Sequence, residues 1–170
     1  MFYINLNIKS NFILLVSLIV FFYVFRLIPH PPNFTPVIAL TMYGTIFFGI
    51  RSLPYIILAF AFSDLFIGFH SLLFFTWGSL ALIGIFSKLF KHIITRIVGC
   101  FLSALFFYIF TNFGVWLSSE FYENNLNGLI SCYILAIPFF ANTLFSTLLF
   151  GLLIEFFISL QKKSLKLNIK

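Results

Sequence analysis

The sequence predicts an all-α membrane protein, a bundle of six transmembrane helices with both termini in the cytoplasm. Three observations predict it. There are too few charges to cover a water-facing surface, six apolar stretches are set apart by polar or Pro/Gly punctuation, and the basic residues fall almost wholly on one side of the alternating spans. Of 170 residues, 62% are hydrophobic and only 8% charged, and the mean hydropathy is +1.12. A soluble domain of this size has about a quarter of its residues charged and about half apolar. The apolar excess must therefore face lipid. Phe alone supplies 28 residues, so no single Phe is weighted as functional.

The spans, in order, cover residues 11–28, 35–50, 53–69, 72–90, 97–117 and 138–160. Crossing a hydrocarbon core takes roughly 20 helical residues, so the second and third spans are short. The first follows Lys9, exceeds a usual signal-peptide apolar region and reaches Arg26 with no A-x-A site, which predicts a retained helix. An apolar run at 129–137 precedes Pro138. Joined to the last span it would make a helix of about 48 Å, too long for one crossing. Proline removes a backbone donor and favours a first helical turn, so the chain is broken there. Residues 125–137 become an interfacial or half-inserted segment on the outer side. No repeat or soluble domain is visible, and residues 1–170 form one transmembrane domain.

With the N-terminus inside, Lys9, Arg51, Lys88, Lys91, Arg96, Lys162, Lys163, Lys166 and Lys170 are cytoplasmic and Arg26 alone is outside. That asymmetry sets the orientation and predicts a multi-pass protein of a bacterial cytoplasmic membrane. The net charge of +6 does not point to nucleic acid, because the cations are dispersed at span ends. Cys100 and Cys132 sit near opposite ends of their spans and read as small apolar helix residues rather than a disulfide. No Cys/His metal spacing occurs.

Four polar clusters gather at the outer end. Arg26 leads into the rigid segment Pro29-His30-Pro31-Pro32-Asn33-Phe34-Thr35-Pro36. Ser63-Asp64 and Gly68-Phe69-His70 end the third span. Thr111-Asn112-Phe113-Gly114-Val115-Trp116 ends the fifth, and Pro138-Phe139-Phe140-Ala141-Asn142-Thr143 opens the sixth. An ionisable side chain within a membrane costs several kcal/mol unless paired or wetted. Arg26 and Asp64 lie at similar depth and are candidate partners, either as a structural bridge or facing a water-filled cavity with a ligand. In the second case Arg26 suits an anionic group. His30, His70 and Asp64 match no known metal-ligand spacing, and neither a metal nor a cofactor is expected. Asn112 and Asn142 are candidates for a bond between the last two spans. Trp116 and Tyr122 lie at interfacial depth, and Trp77 is in the outer half of the fourth span. Glu155 is expected to reach the inner interface or a cytoplasmic lysine. Thr41, Thr45 and Gly49 recur at steps of four, a small-residue stripe for close helix packing, within the chain or with a partner.

No G-x-S-x-G, H-E-x-x-H, G-x-G-x-x-G or phosphate-loop motif occurs. The chain has no room for a nucleotide-binding domain, and no enzymatic role is expected. An intramembrane acid–base enzyme using Asp64 with His70 or His30 is the weakest reading, because no nucleophile or metal motif accompanies them.

The Arg26-to-Pro36 segment, Ser63-Asp64 with Gly68-Phe69-His70, and the Asn112 and Asn142 motifs together resemble an uncharacterised bacterial membrane protein family similar to the substrate-binding S components of energy-coupling factor (ECF) transporters. The resemblance covers about residues 26–151. It implies a six-helix protein that captures a vitamin-like or micronutrient solute at the outer face. It further implies coupling to a separate ECF-type transmembrane subunit and ATPases. Arg26, His30, Asn33, Asp64, His70, Asn112, Trp116 and Asn142 would then line the site. S components dock through an Ala-x-x-x-Ala pattern on their first helix. Residues 12–25 carry none, and the Thr41/Thr45/Gly49 stripe is the candidate substitute. The alternative is a structural or assembly protein of the cell envelope, whose polar clusters satisfy one another.

Overall fold

A computed structural model describes residues 8–68 and 71–167. His70, one of the expected site residues, lies outside them. The described residues form an all-α fold of seven helices: α1 Ile8–Leu27, α2 Val37–Phe48, α3 Leu53–Ile67, α4 Leu73–Phe86, α5 Ile93–Ser118, α6 Leu126–Leu135 and α7 Ile137–Leu167. Two stretches are long and apolar enough to cross a membrane, Ile93–Ser118 and Ile137–Leu160.

Local chemistry sets the boundaries, and several differ from expectation. Pro36 precedes α2, and Gly49 stops it with φ 81°, so α2 is shorter than 35–50. Gly68 stops α3 with φ 119°. Both torsions are left-handed, where a side chain would be strained and glycine is not. Pro54 sits in the first turn of α3, where its missing N–H has no intrahelical acceptor to lose. Helix α4 tightens into a 3₁₀ turn at Ser87–Leu89. Helix α5 begins at Ile93, four residues before the expected start. His92 caps it, and its backbone N–H donates to Thr95 Oγ1 (3.0 Å) in a capping box. The extra turn carries Arg96 into the bundle. Within residues 125–137 the ten-residue helix α6, Leu126–Leu135, is capped by Asn125, whose Oδ1 accepts from Gly128 N–H (2.9 Å). The break before α7 falls at Ala136, which places Pro138 in the first turn of α7. Helix α7 continues to Leu167 rather than stopping near 160.

Helix α2 lies at the centre. Val37, Ile38, Ala39, Thr41, Met42, Tyr43, Thr45 and Ile46 are all buried, so it is covered almost all round, against α3, α4, α5 and α7. Its Ile38, Met42 and Ile46 pack with Ile56 of α3, Leu80 and Ile83 of α4, and Cys100 of α5. Helix α1 packs on α3 and buries Phe22 edge-on against Phe60, with ring centroids 5.9 Å apart.

The distribution of polarity is inverted relative to a water-soluble domain. Interior positions include Thr41, Thr45, Ser79, Ser87, Ser103, Thr143, Ser146 and Thr147, while Leu58, Phe66, Phe74, Phe145, Phe156 and Phe157 are exposed. Most interior hydroxyls donate to a carbonyl one turn back, as Thr41 does to Val37 (2.8 Å) and Ser146 to Thr143 (3.0 Å). Those hydroxyls are satisfied by their own helix, whereas Ser103 donates to Met42 Sδ of α2 (3.8 Å) and Thr147 Oγ1 is buried without a partner. Thr45 also shares a hydrogen with Ser87 at 2.5 Å, tying the end of α2 to the end of α4. Thr41 and Thr45 thus face the chain's own interior and present no surface to a second helix. Gly49 of the same stripe is the helix stop, not a packing position.

The alternating helices define two ends. The end of α1, the start of α2, the end of α3 and the starts of α4 and α7 meet at the proline-loop end. The turns α2–α3 and α4–α5, with Arg96 and Glu155, meet at the other.

Candidate functional site

At the proline-loop end, Arg26 and Asp64 form an ion pair between α1 and α3. The connection is made by Arg26 Nη1, which donates to Asp64 Oδ1 and to Ser63 Oγ (2.7 Å). The Ser63 hydroxyl passes its own hydrogen to Phe60 O (2.6 Å). The other Asp64 oxygen accepts from Trp77 Nε1–H of α4 (2.9 Å). The guanidinium lies over the Phe60 ring, 4.5 Å from its centroid, a contact worth about 0.5–2 kcal/mol. Asp64 is 1% exposed and Arg26 20%. A buried carboxylate thus holds a half-buried cation in one orientation. Ser63 and Trp77, both noted from the sequence at the outer end, are the pair's hydrogen-bond partners; Phe60, one turn before Asp64 on the same face, is the contact that sequence reasoning missed.

The proline loop closes over α7. Asn142 Nδ2 donates to Pro32 O (3.0 Å). Phe34 lies against Phe145 and Phe150 of α7, at 6.0 and 6.2 Å between centroids. Phe25 meets Phe150 at 5.6 Å. The reversal passes through Asn33 at φ 62°, a left-handed torsion that asparagine tolerates better than most residues. His30 faces Pro31 O through Nδ1 (2.9 Å), with its ring 5.3 Å from Phe25. Among the described residues no group of three His, Cys, Asp or Glu is arranged to hold a metal.

Asn112 and Trp116 belong to a third group. Asn112 Nδ2 donates to Tyr108 O of its own helix (2.8 Å), and Asn112 O accepts from Cys132 Sγ of α6 (3.5 Å). The expected Asn112–Asn142 bond across the helices does not form, because one amide folds back on α5 and the other reaches the proline loop. Trp116 Nε1–H donates to Glu123 O (3.0 Å) and braces the α5–α6 turn. Beside that turn lies a cavity of ≈ 340 Å³ lined by Phe121, Tyr122, Glu123, Asn127, Gly128 and Ser131. Tyr108 and Tyr133 hydroxyls donate to Tyr133 O and Ile109 O across the α5–α6 seam (2.6 and 2.8 Å). Helix α6 therefore dips along α5 rather than lying apart from it. The described candidate residues fall into three hydrogen-bonded groups, not one.

At the opposite end a second pair is wholly internal. Arg96 Nε and Nη2 donate to the two oxygens of Glu155 (2.5 and 3.0 Å), and Nη1 donates to Lys91 O (2.8 Å). The guanidinium is 5.5 Å from the Phe47 ring centroid. Arg96 is 8% and Glu155 7% exposed. Two expectations are changed: Arg96, placed between the fourth and fifth spans, is buried inside the bundle, and Glu155 reaches that arginine rather than the interface or a lysine. Beside the pair, the Tyr43 hydroxyl lies near Glu155, Arg96 and Cys100 without meeting hydrogen-bond geometry with any of them. Gly151 makes this crowding workable, since a Cβ there would come 2.8 Å from Cys100 Sγ.

Residues 6–167 match a family of unknown function, DUF6580. The chain belongs to this family. No curated protein and no solved structure matches it. The DUF6580 match, residues 6–167, spans both ion pairs, the proline loop and all seven helices, so the architecture above is that of the matched region.

Proposed function

We propose that this DUF6580 chain is a multi-pass protein of a bacterial cytoplasmic membrane that captures a small vitamin-like or micronutrient solute at its outer face, in the manner of an ECF transporter S component. Its six crossings are α1, α2, α3, α4, α5 and α7, with α6 half-inserted beside α5. The inverted polarity of the bundle supports the membrane placement: exposed Phe74, Phe145, Phe156 and Phe157 surround interior serines, threonines and ion pairs. In lipid such a surface needs no water-facing cover, and interior polar groups must be satisfied internally. The short helix α2 is covered by other helices almost all round, so little of it needs to match the bilayer thickness. Nine of ten basic residues support cytoplasmic termini, which puts the proline loop outside.

The observation that carries solute capture is the preset Arg26. A partly exposed cation, fixed by Asp64, Ser63 and Phe60 at the same bundle end as a proline loop tied to α7, is a preorganised polar contact. The chain would hand its solute to a coupling subunit and ATPases. Native mass spectrometry of the gently purified protein tests this. A retained small molecule, with ECF-type subunits in the milder preparations, is the expected result. A bare protein from every preparation, together with no uptake defect in a deletion strain, would sink it.

The mutual satisfaction of Arg26 with Asp64, Asn142 with Pro32 and Trp116 with Glu123 favours a second reading, a structural or assembly protein of the envelope. Co-purification with an envelope complex independent of any solute would select it.

A further inference from the structure

The two arginine pairs use different edges of the guanidinium, and the difference points to a ligand chemistry. Arg96 engages its carboxylate through Nε and Nη2, the side-by-side donors whose spacing matches two carboxylate oxygens. Arg26 engages Asp64 and Ser63 through Nη1 alone. Its Nε and Nη2 donate to nothing among the described residues. Neither atom is a sealed, unsatisfied donor, and the side chain is 20% exposed. Ring contact with Phe60 fixes the guanidinium plane, and Asp64 cannot swing to take the second edge while Trp77 holds its other oxygen. The edge that binds a carboxylate at one end of this chain is therefore held open at the other.

We infer that the Nε–Nη2 edge of Arg26 receives a two-oxygen anionic group, a carboxylate or phosphate, on the molecule bound at the proline-loop end. This rests on the solute-capture reading and narrows its substrate class. The neighbouring Asp64 charge does not exclude the anion, because it lies on the Nη1 side and is already hydrogen-bonded by Trp77 and Arg26. The same oxyanion chemistry has two sources, a free solute or the headgroup of an anionic lipid at the membrane interface.

The test uses the full chain in maltoside micelles, titrated with benzoate, its neutral isostere benzamide, and inorganic phosphate, followed by calorimetry and thermal unfolding. Benzoate or phosphate is expected to bind and raise the Tm, with benzamide weaker by about tenfold or more, the ratio expected for one lost charge-assisted bond. Arg26→Lys keeps the charge and loses the fork, and is expected to weaken the anion by a similar factor. The benzoate–benzamide comparison needs no variant, so it stands even where Arg26→Lys folds poorly. Equal binding of benzoate and benzamide, or no anion binding at saturation, overturns the inference. Added phosphatidylglycerol that abolishes anion binding assigns the edge to lipid. The oxyanion assignment then holds while solute capture fails. A retained solute lacking any carboxylate or phosphate does the reverse.

Discussion

The two ends of the bundle each bury a carboxylate against an arginine, yet they are built for opposite purposes. At the Arg96 end all three guanidinium nitrogens are engaged, two by Glu155 and one by Lys91 O, and both side chains are almost completely covered. Nothing is left to recognise another molecule, so the pair acts as a clamp between α5 and α7. At the proline-loop end the carboxylate is saturated but the arginine is not. The buried partner there positions the exposed one. Residue type alone does not separate a clamp from a receptor; the number of engaged donor atoms and the exposure of the cation do.

The comparison breaks most sharply on removing one charge at the clamp. Arg96→Leu leaves Glu155 buried without its cation and is expected to destabilise the protein by about 3–5 kcal/mol, read as lost folded yield and a lower Tm in detergent. The paired change Arg96→Met with Glu155→Leu is expected to recover most of that loss, because an apolar pair carries no desolvation cost. If the double variant is no better than the single one, the pair does more than cancel charge. Asp64→Asn is the matching change at the other end. It turns one acceptor into an amide that faces the Trp77 or Arg26 donors, at a cost of about 1–3 kcal/mol. The cost is smaller because Arg26 keeps part of its hydration. Solute or anion binding is expected to fall more than stability does, since a released Arg26 loses its fixed orientation. Equal losses in both would make the proline-loop end a second clamp.

The sequence made the Arg26–Asp64 pairing legible because both residues sit near the C-terminal ends of α1 and α3, two helices that run parallel. It did not make Arg96–Glu155 legible. That pair bridges 59 residues of chain, and Arg96 enters the bundle only because the His92/Thr95 cap starts α5 one turn early. Helix boundaries shifted where a glycine torsion or a cap, rather than hydropathy, ends the helix, as at Gly49 and His92. The rotation of α5 and α7 about their axes was also hidden. Polar positions such as Asn112 and Asn142 mark a face only once packing fixes which way it turns, and these two turn apart. Depth along a span can be read from composition; facing cannot.

Tyr43→Phe sharpens the view of the Arg96 end as closed. The hydroxyl is buried with no hydrogen-bond geometry satisfied, so its removal is expected to leave stability unchanged or raise it by about 0.5–1 kcal/mol. A fall in Tm would mean that the hydroxyl is bridged, by water or by Glu155, and that this end holds more than a clamp.

The smallest effect is expected at Asn142→Ala. It removes one side-chain bond to Pro32 O at a partly exposed position, worth about 0.5–1 kcal/mol. The Tm should scarcely move. The proline loop, however, is fastened to α7 by that bond and by the Phe34 ring, which lies against Phe145 and Phe150. Loosening one fastening should raise local opening without touching the clamp. Amide exchange at Phe34 and Thr35, whose N–H groups close the loop's turns onto Pro31 O and Asn33 O, is therefore expected to speed up, while exchange at Arg96 stays at the wild-type rate. Unchanged protection at Phe34 and Thr35 would assign the closure to aromatic packing instead. The Asn142 bond would then be incidental, and the Phe34 ring would hold the loop on α7 by itself.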